Sequence, residues 1–171
     1  MTSFNLKRFR NLINAPLIIV AFLAGTAISR AQTLVTQKAL SVDAALAVAH
    51  GALDKCHADG YHVSLSVLDN SGLVKAQIRG DETGPHTLEH SRRKAYTALT
   101  FKRSSAETAR AWASAKTPHP EIEGTVGAAG GLPIKAGNQV IGAIGVSGAP
   151  GGEKDEACAA AGIAKIAVLL K

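Results

Sequence analysis

Two histidines four residues apart, His86 and His90, stand in the stretch GPHTLEHSRRKAYTA, and Arg92, Arg93 and Lys94 follow directly. Pro85 suits the first turn of a helix and Thr87 can cap it. Both rings then fall near a helix N-terminus, one turn apart and on the same side. The positive end of the helix dipole disfavours imidazolium there, and a neutral ring nitrogen is what a metal or a haem iron binds. Lys94 continues that face one turn further on, with Arg93 beside it. Such a face suits an anionic ligand whose metal centre meets the histidines and whose carboxylates meet the bases. A solvated helix face with no ligand carries the same residue types.

A second chemistry fits the same residues. HTLEH, His86 to His90, matches the H-x-x-E-H pattern of inverted zinc peptidases, with Glu89 in the place of the water-activating acid. That reading needs a third protein ligand, and Glu107, Glu121 and Glu123 are available without being marked for it. His119, between prolines in TPHPE, could swing over a ligand as a second axial group or simply face solvent. His50, His57 and His62 lie on or after an earlier helix, and the last two read as surface residues. Ser147 in GVSGA is one residue out of step with a Gly-x-Ser-x-Gly elbow, so nucleophilic hydrolysis has no support. GAPGGE lacks the Lys-Ser/Thr of a phosphate loop and reads as a connector.

The elements that must position these residues are legible in outline. Ser41-Val-Asp-Ala-Ala opens a helix with a capping serine and Asp43 in its first turn, and Val42, Leu46, Ala49 and Leu53 recur at helical spacing up to Gly60. Val63, Leu65 and Val67 alternate with Ser64 and Ser66, the pattern of a strand with one face buried. Asp69-Asn-Ser-Gly72 is a turn, and Leu73 to Ile78 returns as the second strand of a hairpin. After a loop from Gly80 to Pro85, the histidine stretch runs as a helix to about Lys102, with Leu88, Ala95 and Leu99 inward. A shorter helix from Ser104 or Ser105 carries Ala109 and Trp112 inward. Residues 117–131 read as a long loop of the kind that is usually functional. A second hairpin turns at Gly137-Asn138, and Gly142 and Gly145 in its second strand mark close approach by a helix, a ligand or another subunit. A last helix runs from about Lys154 to Leu170. Two separate hairpins among helices predict an α+β domain: an antiparallel sheet flanked by α-helices, with profilin- or roadblock-like layering.

The first 31 residues read as a secretory signal peptide: basic Lys7, Arg8 and Arg10, an apolar run from Leu12 to Ile28, and a small-residue cleavage site at Ser29-Arg-Ala31. Asn14 and Pro16 leave its apolar stretch short of a bilayer span. Residues 32–40 then form a linker and 41–171 one domain. Four of the 19 Lys+Arg fall in the leader and none of the 13 acids does, so the formal charge drops from +6 to +2 on cleavage. A nucleic-acid partner would need a retained basic footprint, and this chain loses its own. The mature chain is expected in a periplasmic or extracellular space without a membrane span. There Cys56 and Cys158 form either a disulfide between the first and last helices or two buried thiols.

The segments SVDAALAVAHGAL, VSLSVLDNSGLVKAQIRGD, GPHTLEHSRRKAYTALTFKR and GGLPIKAGNQVIGAIGVSGAPGGEKDEACAAAGI resemble, in order and spacing, the GlcG/HbpS-like haem-binding family of DUF336-type domains. The resemblance covers Ser41 to about Leu170, and its most specific parts are RRKAYTA and GGLPI…IGAIGVSG…DE. It implies an antiparallel sheet flanked by helices and a homo-oligomer. Some exported members bind haem and are linked to redox sensing beside a membrane sensor kinase, and haem or iron handling has been proposed for them. Others are cytoplasmic or fused to metabolic enzymes. The haem ligand is a histidine in some members and a hydroxyl residue in others. The resemblance therefore implies haem as cofactor, with His86, Thr87 or His90 approaching the iron and Arg92, Arg93 or Lys94 meeting the propionates. Binding is expected rather than catalysis, with peroxide-driven haem breakdown where an iron position stays open. The rivals are a zinc-dependent hydrolase using His86, His90 and Glu89, and a metal-free metabolite- or partner-binding module.

Overall fold

The computed structural model describes residues 34–115 and 122–171. The expected leader, His119 and Glu121 lie outside the described residues. One compact unit runs from Thr36 to Lys171. Its elements are helix α1 (Val42–Ala58), strands β1 (Ser64–Asp69) and β2 (Val74–Ile78), helices α2 (Thr87–Phe101) and α3 (Ser105–Ser114), strands β3 (Gly131–Ala136) and β4 (Gln139–Ser147), and helix α4 (Gly152–Ala164). The last helix is shorter than the sequence predicts, ending in a 3-10 turn at Ala167–Leu169.

Both hairpins form, and the two are joined through their inner strands into one antiparallel sheet of order β2-β1-β4-β3. The α+β expectation therefore holds, with α1 and α4 packed on one face and α2 on the other. Register assigns the faces. Leu65 pairs with Val146 and Val67 with Ile144, and these four join Ile134 and the buried side of α1 and α4 in the main core. Each large side chain buried there contributes roughly 1.5–3 kcal/mol.

The opposite face is unusual for a sheet interior. Its rows are Ser64 with Ser147, Ser66 with Gly145, and Leu68 with Ala143. The alternation of Val63, Leu65 and Val67 with serines predicted one face in water, but Ser64 and Ser66 are fully buried beneath α2. Small side chains are what the packing requires. Gly145 pairs with Gly131 across the sheet, and a Cβ on either glycine would collide with α2 backbone, at Ser91 and Lys94 respectively. Hydroxyl pairs replace the missing apolar contact: Ser66 with Ser91 and Ser64 with Thr87, each at 2.8 Å. The inward face of α2 is accordingly Thr87, Ser91, Ala95 and Ala98, while the expected Leu88 and Leu99 are only partly covered. Gly145 is thus covered within the chain, and Gly142 meets Leu68 backbone and the Leu40 side chain, so neither marks a subunit contact.

Helix α1 also turns a different face inward than its apolar spacing predicts. Ala44, Ala45, Val48, Ala49 and Ala52 are buried, whereas Val42 and Leu46 are 52% and 40% exposed. The cause is again close approach: a Cβ on Gly162 of α4 would collide with the Val48 carbonyl and the Ala52 side chain. At this crossing a disulfide joins Cys56 to Cys158. Leu40, which the sequence places on a linker, is buried in the same core, and Lys38 hydrogen-bonds to Gln139.

Candidate functional site

Helix α2 begins with His86 in the N-cap position and no side chain capping it. Thr87 does not cap; its hydroxyl donates to the Gly84 carbonyl at 2.8 Å and meets Ser64, and the residue is 2% exposed. Thr87 could reach a ligand only by giving up those bonds. The exposed His86 ring instead folds back over Gly84, where a Cβ would come within 2.9 Å of it. The His90 ring lies 6.2 Å from the His86 ring, centroid to centroid, confirming the shared side. Its Nδ1 sits 3.1 Å from the Ser147 hydroxyl. Burial, with Lys94, His86 and Arg93 nearby, pushes the His90 pKa down and keeps the ring neutral. Sequence reasoning traced that neutrality to the helix dipole alone.

A folded pKa below the free value means that His90 contributes stability above the unfolded pKa, about 6.5, and loses it as pH falls through the folded pKa. Denaturation midpoints compared between neutral and mildly acidic pH should therefore drop more steeply in the native chain than in His90→Gln. Burial raises the Asp155 and Glu156 carboxyls, so both groups favour the fold at low pH. The variant comparison isolates His90 from that opposing trend. Equal slopes in the two proteins would contradict it.

The three bases separate. Arg92 is engaged by Glu89 through two bonds of 2.8 Å. Arg93 reaches Glu89 only at 4.0 Å and borders a groove of about 740 Å³ with Ala109, Trp112, Thr125 and Val126. Lys94 is not on the surface at all. Its side chain is 4% exposed, and the ammonium donates to Asp155 at 2.8 Å and to the Val146 carbonyl at 3.0 Å. One of the three bases expected to meet a propionate is therefore committed inside the protein. Asp155, whose other oxygen accepts from the Ala149 N–H, anchors the loop before α4.

These contacts also bear on the zinc chemistry. The hydrogen bond from Arg92 holds the Glu89 carboxyl below its usual range, the wrong direction for a base that must take a proton from water near pH 7. Among the described residues no three His, Cys, Asp or Glu side chains are grouped so as to hold a metal ion.

A groove of about 520 Å³ opens beside His86 and Thr87. Its other walls are Tyr61, His62, Glu82, Gly84 and the Gly148–Pro150 loop. By sequence pattern His62 reads as a surface residue and nothing marks Glu82. Only the fold, which brings the start of β1 against the turn before α2, places them here.

The family model described as "Haem degrading protein HbpS-like" matches residues 40–164. The chain belongs to the HbpS-like family. Within solved structures, a doubly substituted Streptomyces reticuli HbpS is 37% identical, with a TM-score of 0.74 over 82% of this chain and 96% of that one. Klebsiella pneumoniae protein ORFY, a DUF336 protein, is 25% identical, with a TM-score of 0.73 over 80% and 97% of the two chains. The PduOC:Heme complex shares the fold at 23% identity, with a TM-score of 0.65 over 75% and 96%. No curated protein matches. The α2 seam of small and hydroxyl side chains thus belongs to an HbpS-like fold, and among the described residues no helix is long and apolar enough to cross a membrane.

Proposed function

We propose that this HbpS-like protein is an exported, homo-oligomeric haem-binding protein acting in haem or iron handling or in redox sensing. The observation that carries the reading is the His86 ring, exposed at the mouth of a groove in a chain whose family model is described as haem degrading. Haem is also the ligand named for the PduOC structure of the same fold. The residues fit the group in kind: a histidine with no side chain hydrogen-bonded to it among the described residues, Tyr61, Ala149 and Pro150 as apolar wall, and a groove within the usual range of ligand sites. His86 would hold the iron, with His90 as the nearby alternative, and Arg93, the most exposed of the three bases, would meet a propionate. Bound haem would supply a redox-active iron, and peroxide-driven breakdown is the enzymatic extension of this reading.

Export is supported by the leader-like residues 1–31 and by the Cys56–Cys158 disulfide, a bond that persists in oxidising compartments. Self-association is supported by Leu73 and Val74, exposed on the edge strand β2 and its approach. A membrane sensor as partner extends the redox reading and is tested by co-purification. The direct test of the function is a haemin titration followed by absorbance. Saturation near one haem per chain supports it, and a shallow, unsaturating change sinks it.

A further inference from the structure

The groove beside the start of α2 is lined by a second imidazole. His62, immediately before β1, and Glu82, in the turn before α2, line the same groove as His86. The His62 Nε2 lies 3.6 Å from a Glu82 carboxylate oxygen. Glu82 holds φ at +59°, a left-handed conformation that side chains other than glycine rarely adopt. Such backbone is maintained where surrounding structure over-determines it, and it clusters at ligand clamps. The turn is held from below: the Thr83 hydroxyl donates to the Gly80 carbonyl at 2.8 Å and accepts from Ser64, a buried residue of β1. A Cβ on Gly80 would collide with the Val63 carbonyl, and one on Gly148 with that of His62. The turn and the loop after β4 thus pack closely against the His62–Val63 backbone, while the His62 side chain stays 55% exposed.

Metal-ligating histidines commonly pair their second ring nitrogen with a carboxylate, and Glu82 stands at ion-pair distance from His62 to serve that role. His90 lacks this arrangement, since its Nδ1 faces a serine hydroxyl. Among the described residues no carboxylate pairs with His86 either. We infer that His62, with Glu82 beside it, is the second protein ligand of the haem iron, in the groove it shares with His86. This inference rests on the haem reading above and adds the residue that reading lacks. It also favours one use of the site: an iron held on both faces leaves no position for peroxide, which suits haem holding or electron exchange over breakdown.

The test compares ferric haem complexes of the purified native protein, His62→Ala and Glu82→Gln by absorbance and electron paramagnetic resonance. The native complex is expected to be six-coordinate and low-spin. His62→Ala should keep its haem but become high-spin, and free imidazole should restore the low-spin spectrum. Glu82→Gln should stay low-spin with haem affinity weakened about tenfold. His62→Ala with a native spectrum and affinity would overturn the inference while leaving haem binding at His86 intact. A native protein that takes up no haem would overturn both. Because His62 and Glu82 are exposed side chains, both variants should fold, which circular dichroism checks before titration.

Discussion

Lys94→Ala is expected to destabilise the fold by about 3–5 kcal/mol, the cost of leaving a buried charge without its partner. Lys94 and Asp155 are 4% and 3% exposed and lie 2.8 Å apart, and each makes a further bond to backbone, at Val146 and Ala149. Removing the ammonium strands a carboxylate whose pKa burial already raises. The pair links α2, the end of β4 and the first turn of α4, so its loss loosens three elements together. An apolar replacement of both partners, Lys94→Met with Asp155→Leu, should recover much of the loss, since a buried pair often gains little over well-packed apolar groups. Urea unfolding of the single and double variants measures this. A single-variant cost below about 1 kcal/mol, the range of surface ion pairs, would contradict the buried geometry. The double variant should also keep native haem affinity, whereas Arg93→Ala should weaken it, because Arg93 is the most exposed of the three bases on α2.

Removing the disulfide has a comparable expected effect. Cys56→Ala with Cys158→Ala should lower stability by about 2–5 kcal/mol. The bond spans a sequence separation of 102 residues, so it restricts the unfolded chain over most of the domain. Both cysteines are fully buried at the α1–α4 crossing, so a reductant should act only as the protein unfolds. Unfolding with and without dithiothreitol provides the check. Coincident transitions would mean that the bond does not form in solution, and would remove one support for export.

Local patterns made the strands, turns and helices legible. The Val-Ser alternation marked β1, Gly72 and Gly137 adopt the positive φ their turns need, and Ser104 with Glu107 closes the third helix's N-terminus as a capping box. What sequence pattern could not supply was long-range pairing. Once β1 joins β4, the serine face is no longer at the surface, and the glycine row beneath α2 decides which side of that helix points inward. The same burial explains why Lys94, one helical turn from His90 and expected on the same face, is committed to Asp155. His86 and His90 were placed together correctly because four-residue spacing is a local property of a helix. His62 was missed for the converse reason: it is 24 residues from His86, and only the hairpin and the strained turn at Glu82 bring it to the groove.

The most direct test of haem binding at the start of α2 is a haemin titration of the native protein alongside His86→Ala, Thr87→Val and His90→Ala. Saturation near one haem per chain in the native protein, with the Soret band shifted and affinity lost chiefly in His86→Ala, is the predicted result. Thr87→Val should act through stability, because its hydroxyl is buried between Gly84 and Ser64. A native titration that saturates but is indifferent to His86→Ala would contradict the site, and one that never saturates would contradict the function.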